Sequence, residues 1–171
     1  YDDFEAGDDF ILWGNNMAEM HPVLYSRILE HKRKNPGVRI VDIATRRTPT
    51  TDYADMYVEF QPGADLALAN GILHLLVKGK KIHEAFVKEN VIFKRGIEDP
   101  KVMGYGCYGD QAEHYTFNDE ARDATFEEFV QFLDAYSPDQ VSRISGVPEG
   151  QLRLLADIYG DRNRRTVSLW C

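Results

Sequence analysis

A glycine followed by two asparagines stands where a short apolar run gives way to a helical pattern. The apolar run 10–13 predicts a strand near 9–13, and Gly14, Asn15 and Asn16 follow it directly. Glycine lets the backbone approach a ligand closely, while asparagine supplies amide groups and tolerates left-handed backbone geometry. Free backbone amides at such a turn bind phosphate. The stretch therefore predicts a phosphate-binding turn, and an ordinary strand-to-helix turn is the alternative that these residue types leave open.

Two further turns carry residues that suit a nucleotide. The stretch 45–51 is polar and contains two neighbouring arginines, whose guanidinium groups bind phosphate oxygens in bidentate pairs. The turn 63–65 ends in Asp65, whose carboxylate matches the paired N1–H and N2–H donors of guanine, a pair that adenine lacks. The alternatives are solvent-exposed charges for the arginines and a helix N-cap for Asp65.

Alternating and apolar patterns predict the elements that position these turns. A helix connects the first two predicted strands, so the two strands form a parallel pair. The carboxyl ends of parallel strands share one edge of a sheet, and the three turns should therefore converge although about twenty to thirty residues separate them. We expect an α/β fold, a Rossmann-like three-layer domain with a mainly parallel sheet flanked by helices. The predicted strands lie near 9–13, 38–45, 56–60 and 166–170.

Composition narrows the class of protein. The chain has 171 residues, of which 43% are hydrophobic and 28% are charged, which predicts a single domain over 1–171. Its net charge of −8 disfavours nucleic acid as a partner, and no apolar run is long enough for membrane insertion. The acidic start and the strand-like end suggest an internal fragment of a larger subunit.

Other motifs give weaker signals. The stretch 104–109 matches G-x-G-x-x-G, but no clear strand precedes it and no amphipathic helix follows, so we do not expect a phosphate loop there. It belongs to the stretch 95–124, which shows no period and is predicted to be an ordered excursion. Cys107 and Cys171 form no C-x-x-C motif, and the histidines show no metal-ligand spacing, so no metal site is predicted.

A longer motif resembles a known family. Trp13-Gly14-Asn15-Asn16-Met17-Ala18-Glu19-Met20-His21-Pro22 is similar to a signature of the molybdopterin-dependent oxidoreductases, and specifically of the catalytic subunits of periplasmic nitrate reductases. The similarity continues downstream. The other similar stretches are 66–72, 91–96, 146–148 with 151–152, and 167–170.

The resemblance implies that the three turns hold one of two molybdopterin guanine dinucleotides. The implied cofactor-binding residues are Trp13, Gly14, Asn15, Asn16, Met17, Ala18, Glu19, Met20, Ala44, Thr45, Arg46, Arg47, Thr48, Gly63, Ala64 and Asp65. Two positions depart from the family, which commonly has serine in place of Ala44 and a longer polar residue in place of Gly63. At these two positions we expect backbone contacts.

For the parent subunit, the resemblance implies reduction of nitrate to nitrite at molybdenum held by two molybdopterin guanine dinucleotides. Electrons would arrive through a [4Fe-4S] cluster from a c-type cytochrome in the periplasm. The ligands of the cluster and of molybdenum lie outside this sequence, so no catalytic or metal-ligating residue is assigned. The alternatives are an assimilatory nitrate reductase, a formate dehydrogenase or a non-enzymatic nucleotide-binding module.

Overall fold

The structure, a computed structural model, describes residues 2–95 and 122–170 and confirms the predicted α/β fold. The strands are β1 (Asp9–Trp13), β2 (Arg39–Ala44), β3 (Met56–Glu59), β4 (Phe93–Arg95), β5 (Arg122–Ala124) and β6 (Thr166–Trp170). The helices are α1 (Met17–Met20), α2 (Pro22–Lys34), α3 (Asp65–Lys78), α4 (Glu84–Asn90), α5 (Phe126–Leu133), α6 (Pro138–Ser145) and α7 (Glu149–Tyr159).

Four parallel strands form the main sheet in the order β3-β2-β1-β6. The register pairs Trp13 with Ile43 on one side and with Trp170 on the other, and it pairs Ala44 with Glu59. All four strands therefore end at the same level. We call this the carboxyl edge of the sheet, and the opposite one the amino edge.

The central strand β1 is buried on both faces, as expected for a parallel sheet between helices. Ile11 and Trp13 join a core with side chains of α3, α6 and α7. Phe10 and Leu12 point the other way, into a core with α2. Each buried large apolar side chain contributes roughly 1.5–3 kcal/mol, so the sheet is a rigid base for the turns at its edges.

A charge cluster at the amino edge joins β1, β2 and the segment that precedes β6. Asp9 is fully buried, and its carboxylate accepts hydrogen bonds from the guanidinium groups of Arg39 and Arg164. Arg164 also donates to the carbonyl of Gly37 at 2.8 Å. Because these groups lie at the opposite edge from the turns, they stabilise the sheet without entering the candidate site.

Helix ends follow the sequence signals in part. At the start of α5, Thr125 and Glu128 form a capping box, which a threonine three residues before a glutamate indicates. The alternative reading of Asp65 as a helix N-cap is wrong: the N-cap of α3 is Ala64, and Asp65 is the first helical residue. The carboxylate of Asp65 is therefore not used for capping.

The chain divides into two compact units, Tyr1–Ile82 with Ala135–Cys171, and His83–Asp134. The first contains the parallel sheet, and the second contains α4, α5 and the antiparallel pair β4–β5. The single-domain prediction over 1–171 stays a prediction. The motif 104–109, Cys107, Cys171 and most of the stretch 95–124 lie outside the described residues. No helix in the described ranges has both the length and the apolar character needed to cross a bilayer.

Candidate functional site

Three turns follow three adjacent strands at the carboxyl edge. The first turn (14–16) follows β1, the second (45–48) follows β2 and the third (61–65) follows β3. Neighbouring strands lie about 4.8 Å apart, so the outer two turns leave the sheet about 10 Å from each other. The structure thus places the three turns side by side, within the span of one nucleotide.

Gly14 begins the first turn in a left-handed conformation. Its φ is +64°, which a residue with a side chain adopts only with strain. Its N–H donates to the carbonyl of Ile43 at 2.8 Å and so extends the pairing of β1 with β2. The amide of Gly14 is therefore used by the sheet and is not free for a ligand.

The next two amides are open. Among the described residues, the backbone N–H groups of Asn15 and Asn16 have no hydrogen-bond acceptor, whereas Met17 donates to the carbonyl of Asn15 at 2.9 Å. The first turn therefore presents two adjacent free amides. Such a pair can bind an anionic oxygen.

Two buried polar atoms beside these amides lack partners. They are Oδ1 of Asn15 and Nε1 of Trp13, and neither forms a hydrogen bond within the described part of the chain. Asn15 is only 6% exposed and Trp13 only 2%. A buried polar atom without a partner costs about 1–3 kcal/mol, so each of these two atoms calls for an explanation. A ligand that carries both hydrogen-bond donors and acceptors could pair with these two atoms.

The side chain of Asn16 has a different role from that of Asn15. Its Oδ1 accepts a hydrogen bond from the hydroxyl of Thr50 at 3.0 Å, and its Nδ2 donates to the carboxylate of Glu19. Both ends of the carboxamide are occupied by protein groups. Asn16 therefore offers a ligand its backbone amide and not its side chain.

The remaining residues of the predicted first segment differ widely in exposure. Met17 is 2% exposed and packs in the core on the α2 face, whereas Met20 is 70% exposed. Ala18 donates its N–H to Thr50 at 3.0 Å. Trp13 stacks on Trp170 with 4.1 Å between ring centroids, which fixes the end of β1 against β6. The side chain of Met17 is thus part of the core.

The second turn carries the positive charge. Thr45, Arg46 and Arg47 are all exposed. The guanidinium of Arg47 lies 4.9 Å from the ring centre of Tyr57, a cation–π contact that holds it over β3. Arg46 has no recorded partner among the described residues. Its guanidinium is therefore the one in this turn that can move to a ligand.

Beneath the second turn lies a buried acid that sequence reasoning missed. Asp42 is 1% exposed and accepts a hydrogen bond from the hydroxyl of Thr51 at 2.6 Å. Burial raises the pKa of its carboxyl, and the bond from Thr51 and the charge of Arg47 oppose that rise. Asp42 lies within β2, and the strand pattern alone gives no signal that a buried acid at this position would bond to the segment after the second turn.

The third turn presents an acid to solvent. Gly63 is exposed, while Ala64 is buried and donates its N–H to the carbonyl of Gln61 at 3.0 Å. Asp65 is exposed, and its carboxylate has no partner among the described residues. It is therefore available for a pair of donors on a ligand. Nowhere in the described ranges do three His, Cys, Asp or Glu side chains come together to hold a metal ion.

Comparisons with known proteins identify a family and a fold. Residues 1–137 match the protein family described as molybdopterin oxidoreductase. Among solved structures, the chain is similar to acetylene hydratase from Pelobacter acetylenicus, with a TM-score of 0.67, 17% sequence identity, and coverage of 96% of this chain and 18% of that one. At that identity the likeness shows the fold alone. Because the family match extends over most of the sequence, the chain belongs to the molybdopterin oxidoreductase family.

Proposed function

We propose that the three turns at the carboxyl edge bind the guanine dinucleotide end of a molybdopterin cofactor. The observation that carries this proposal is the placement of the three turns side by side, with an open pair of amides at one end and a free carboxylate at the other. The family implies a molybdopterin cofactor, and the guanine dinucleotide form is our inference from the turn chemistry.

The residues fit the two ends of a guanosine diphosphate group differently. The amides of Asn15 and Asn16 suit a phosphate oxygen, and Arg46 can add a charge-assisted hydrogen bond. Asp65 can accept from both N1–H and N2–H of guanine. Its position at the start of α3 keeps the carboxylate clear of the capping role. Each end of the ligand thus meets groups of matching chemistry.

The unpartnered atoms support the same assignment. Nε1 of Trp13 needs an acceptor and Oδ1 of Asn15 needs a donor, and a nucleotide with phosphate oxygens and ribose hydroxyls has both. Ala44 and Gly63, where serine and a longer polar residue are common in the family, would contribute backbone contacts. When bound, the cofactor supplies the molybdenum site at which oxidation and reduction take place.

For the parent subunit we propose reduction of nitrate to nitrite, with a second dinucleotide, a [4Fe-4S] cluster and a c-type cytochrome donor in the periplasm. The support is the sequence resemblance of 13–22 to periplasmic nitrate reductases. An assay of the longer protein with a reduced dye and nitrate, and with formate and an oxidised dye, separates this proposal from a formate dehydrogenase. A third assay measures the hydration of acetylene, because the fold is similar to that of acetylene hydratase.

Calorimetric titration of the 171-residue chain with GDP and with ADP tests the nucleotide proposal. We expect GDP to bind at least about tenfold more tightly, since a bidentate bond to a carboxylate is worth at least about 1.4 kcal/mol. In Asp65→Asn this preference should disappear, because an amide presents one acceptor and one donor to the two guanine donors.

Asp139→Asn is the matched control. Asp139 also lies in the first turn of a helix, α6, and is exposed, but it pairs with Arg143 and belongs to none of the three turns. This variant should keep the GDP preference. Equal affinity of the unmodified chain for GDP and ADP would remove the role of Asp65, and failure to bind either nucleotide would contradict the proposal as a whole.

A further inference from the structure

The segment after the second turn makes contacts with the first. Thr50 is fully buried, and its hydroxyl accepts a hydrogen bond from the N–H of Ala18 and donates one to Oδ1 of Asn16, both at 3.0 Å. Its carbonyl accepts from the hydroxyl of Tyr25 at 2.8 Å. The hydroxyl of Thr50 is thus hydrogen-bonded to both the first turn and α1.

The neighbouring threonine holds the second turn. The hydroxyl of Thr51 donates to the carboxylate of Asp42 at 2.6 Å and accepts from the N–H of Thr48 at 3.0 Å. The N–H of Thr51 donates back to the carbonyl of Thr48 at 2.9 Å. Thr50 and Thr51 therefore join the two turns through adjacent positions of the chain.

We propose that Thr50 is a positioning residue for the nucleotide site. Its hydroxyl donates a hydrogen bond to Oδ1 of Asn16. This bond fixes the turn in the conformation in which the backbone amides of Asn15 and Asn16 are free. The ligand part of this inference rests on the proposed function, whereas the bonds of Thr50 do not. Because both turns depend on one buried segment, their separation and orientation are set before a ligand arrives, which lowers the cost of binding.

The first test measures the turn without a ligand. Thr50→Val keeps the shape of the side chain and removes the hydroxyl, so the N–H of Ala18 loses its acceptor. We expect its hydrogen exchange to be at least about tenfold faster, with exchange in β1 unchanged. Thr50→Ser keeps the hydroxyl and should keep slow exchange. Unchanged exchange at Ala18 in the valine variant would overturn the proposal.

The second test measures binding with two ligands. GDP reaches the first turn through its phosphates, whereas guanosine lacks them. In Thr50→Val we expect GDP to bind about tenfold more weakly, whereas the affinity for guanosine should change by less than about twofold. Thr50→Ser should restore GDP binding. A purely structural defect would weaken the binding of both ligands equally.

Thr166→Val is the matched control, since Thr166 lies on β6 at the amino edge and its hydroxyl has no recorded partner among the described residues. It should leave both affinities unchanged. Equal weakening of GDP and guanosine in Thr50→Val, or failure of serine to restore GDP binding, would overturn the positioning role. If the unmodified chain binds neither ligand, the proposed function fails and the ligand part of the inference fails with it, while the exchange test still decides whether Thr50 holds the turn.

Discussion

Two buried aspartates show how partners decide the state of a carboxyl group. Burial alone would raise the pKa of Asp9, but hydrogen bonds from Arg39 and Arg164 outweigh it and lower that pKa. Among the described residues, the carboxyl of Asp42 has one hydrogen-bond partner, the hydroxyl of Thr51, and burial raises the pKa of this carboxyl. The first acid is therefore a charged link between strands, and the second is a buried acid beneath the candidate site.

Asp9→Asn should lower the free energy of unfolding at pH 7 by about 2–4 kcal/mol. Loss of a charge from a buried pair is costly because its partners lose their counter-charge, although solvent access to both arginines reduces the penalty here. Urea denaturation at pH 7 measures the change. Asp139→Asn, which breaks an exposed pair with Arg143, should cost less than about 1 kcal/mol.

The difference in stability between the unmodified protein and Asp9→Asn should depend on pH, because folding lowers the pKa of Asp9. A group whose pKa is lowered on folding stabilises the protein above its unfolded pKa, and that stability is lost as pH falls through the folded value. The unmodified protein should therefore lose stability below about pH 4, and its advantage over Asp9→Asn should shrink. A constant difference between pH 7 and pH 3 would contradict this account.

At the scale of elements, the close approach of α3 and α6 depends on one glycine. A Cβ at Gly71 would lie 2.8 Å from Cγ2 and 2.9 Å from Cγ1 of Val141, which is closer than carbon atoms pack. Valine is stiff at χ1 and cannot turn away. Gly71 therefore serves packing between helices rather than backbone flexibility.

Gly71→Ala should destabilise the chain by a net amount of about 1 kcal/mol. Alanine favours a helix by about 1 kcal/mol over glycine, but overpacking costs about 1–3 kcal/mol. Gly150→Ala, with nothing within 4 Å of the added carbon, should be neutral or stabilising. Denaturant midpoints measure both variants, and adding Val141→Ala should recover part of the loss. A stabilised Gly71→Ala would show that the helices separate at no cost.

Sequence patterns predict the elements better than their contacts. The predicted strand 9–13 matches β1 residue for residue, because residues 10–13 of a strand buried on both faces form a continuous apolar run. By contrast, the order of strands is not readable from a pattern, and the stacking of Trp13 on Trp170 depends on β6 lying beside β1.

The same limit applies to the candidate site. The sequence identifies the turns, but it does not show that Thr50 reaches the first turn from 34 positions away. That contact depends on how the chain returns beneath the carboxyl edge after β2. The polar run 45–51 indicates a turn, and no feature of it distinguishes a buried threonine from an exposed one.

At the scale of the whole molecule, charge is divided between the two edges of the sheet. The guanidinium groups of Arg39 and Arg164 are engaged by Asp9 at the amino edge, whereas Arg46 at the carboxyl edge has no recorded partner among the described residues. In a chain with a net charge of −8, an anionic ligand needs such a local positive group. The division favours the carboxyl edge as the place where a nucleotide binds.

The most direct test of the account is a map of GDP binding by ¹H–¹⁵N NMR on the 171-residue chain. The account predicts that the largest shifts occur at the amides of Asn15, Asn16, Thr45 and Asp65, with little change at Asp9 and at other positions of the amino edge. Shifts confined to the amino edge or to residues 83–134, with the three turns unchanged, would contradict it.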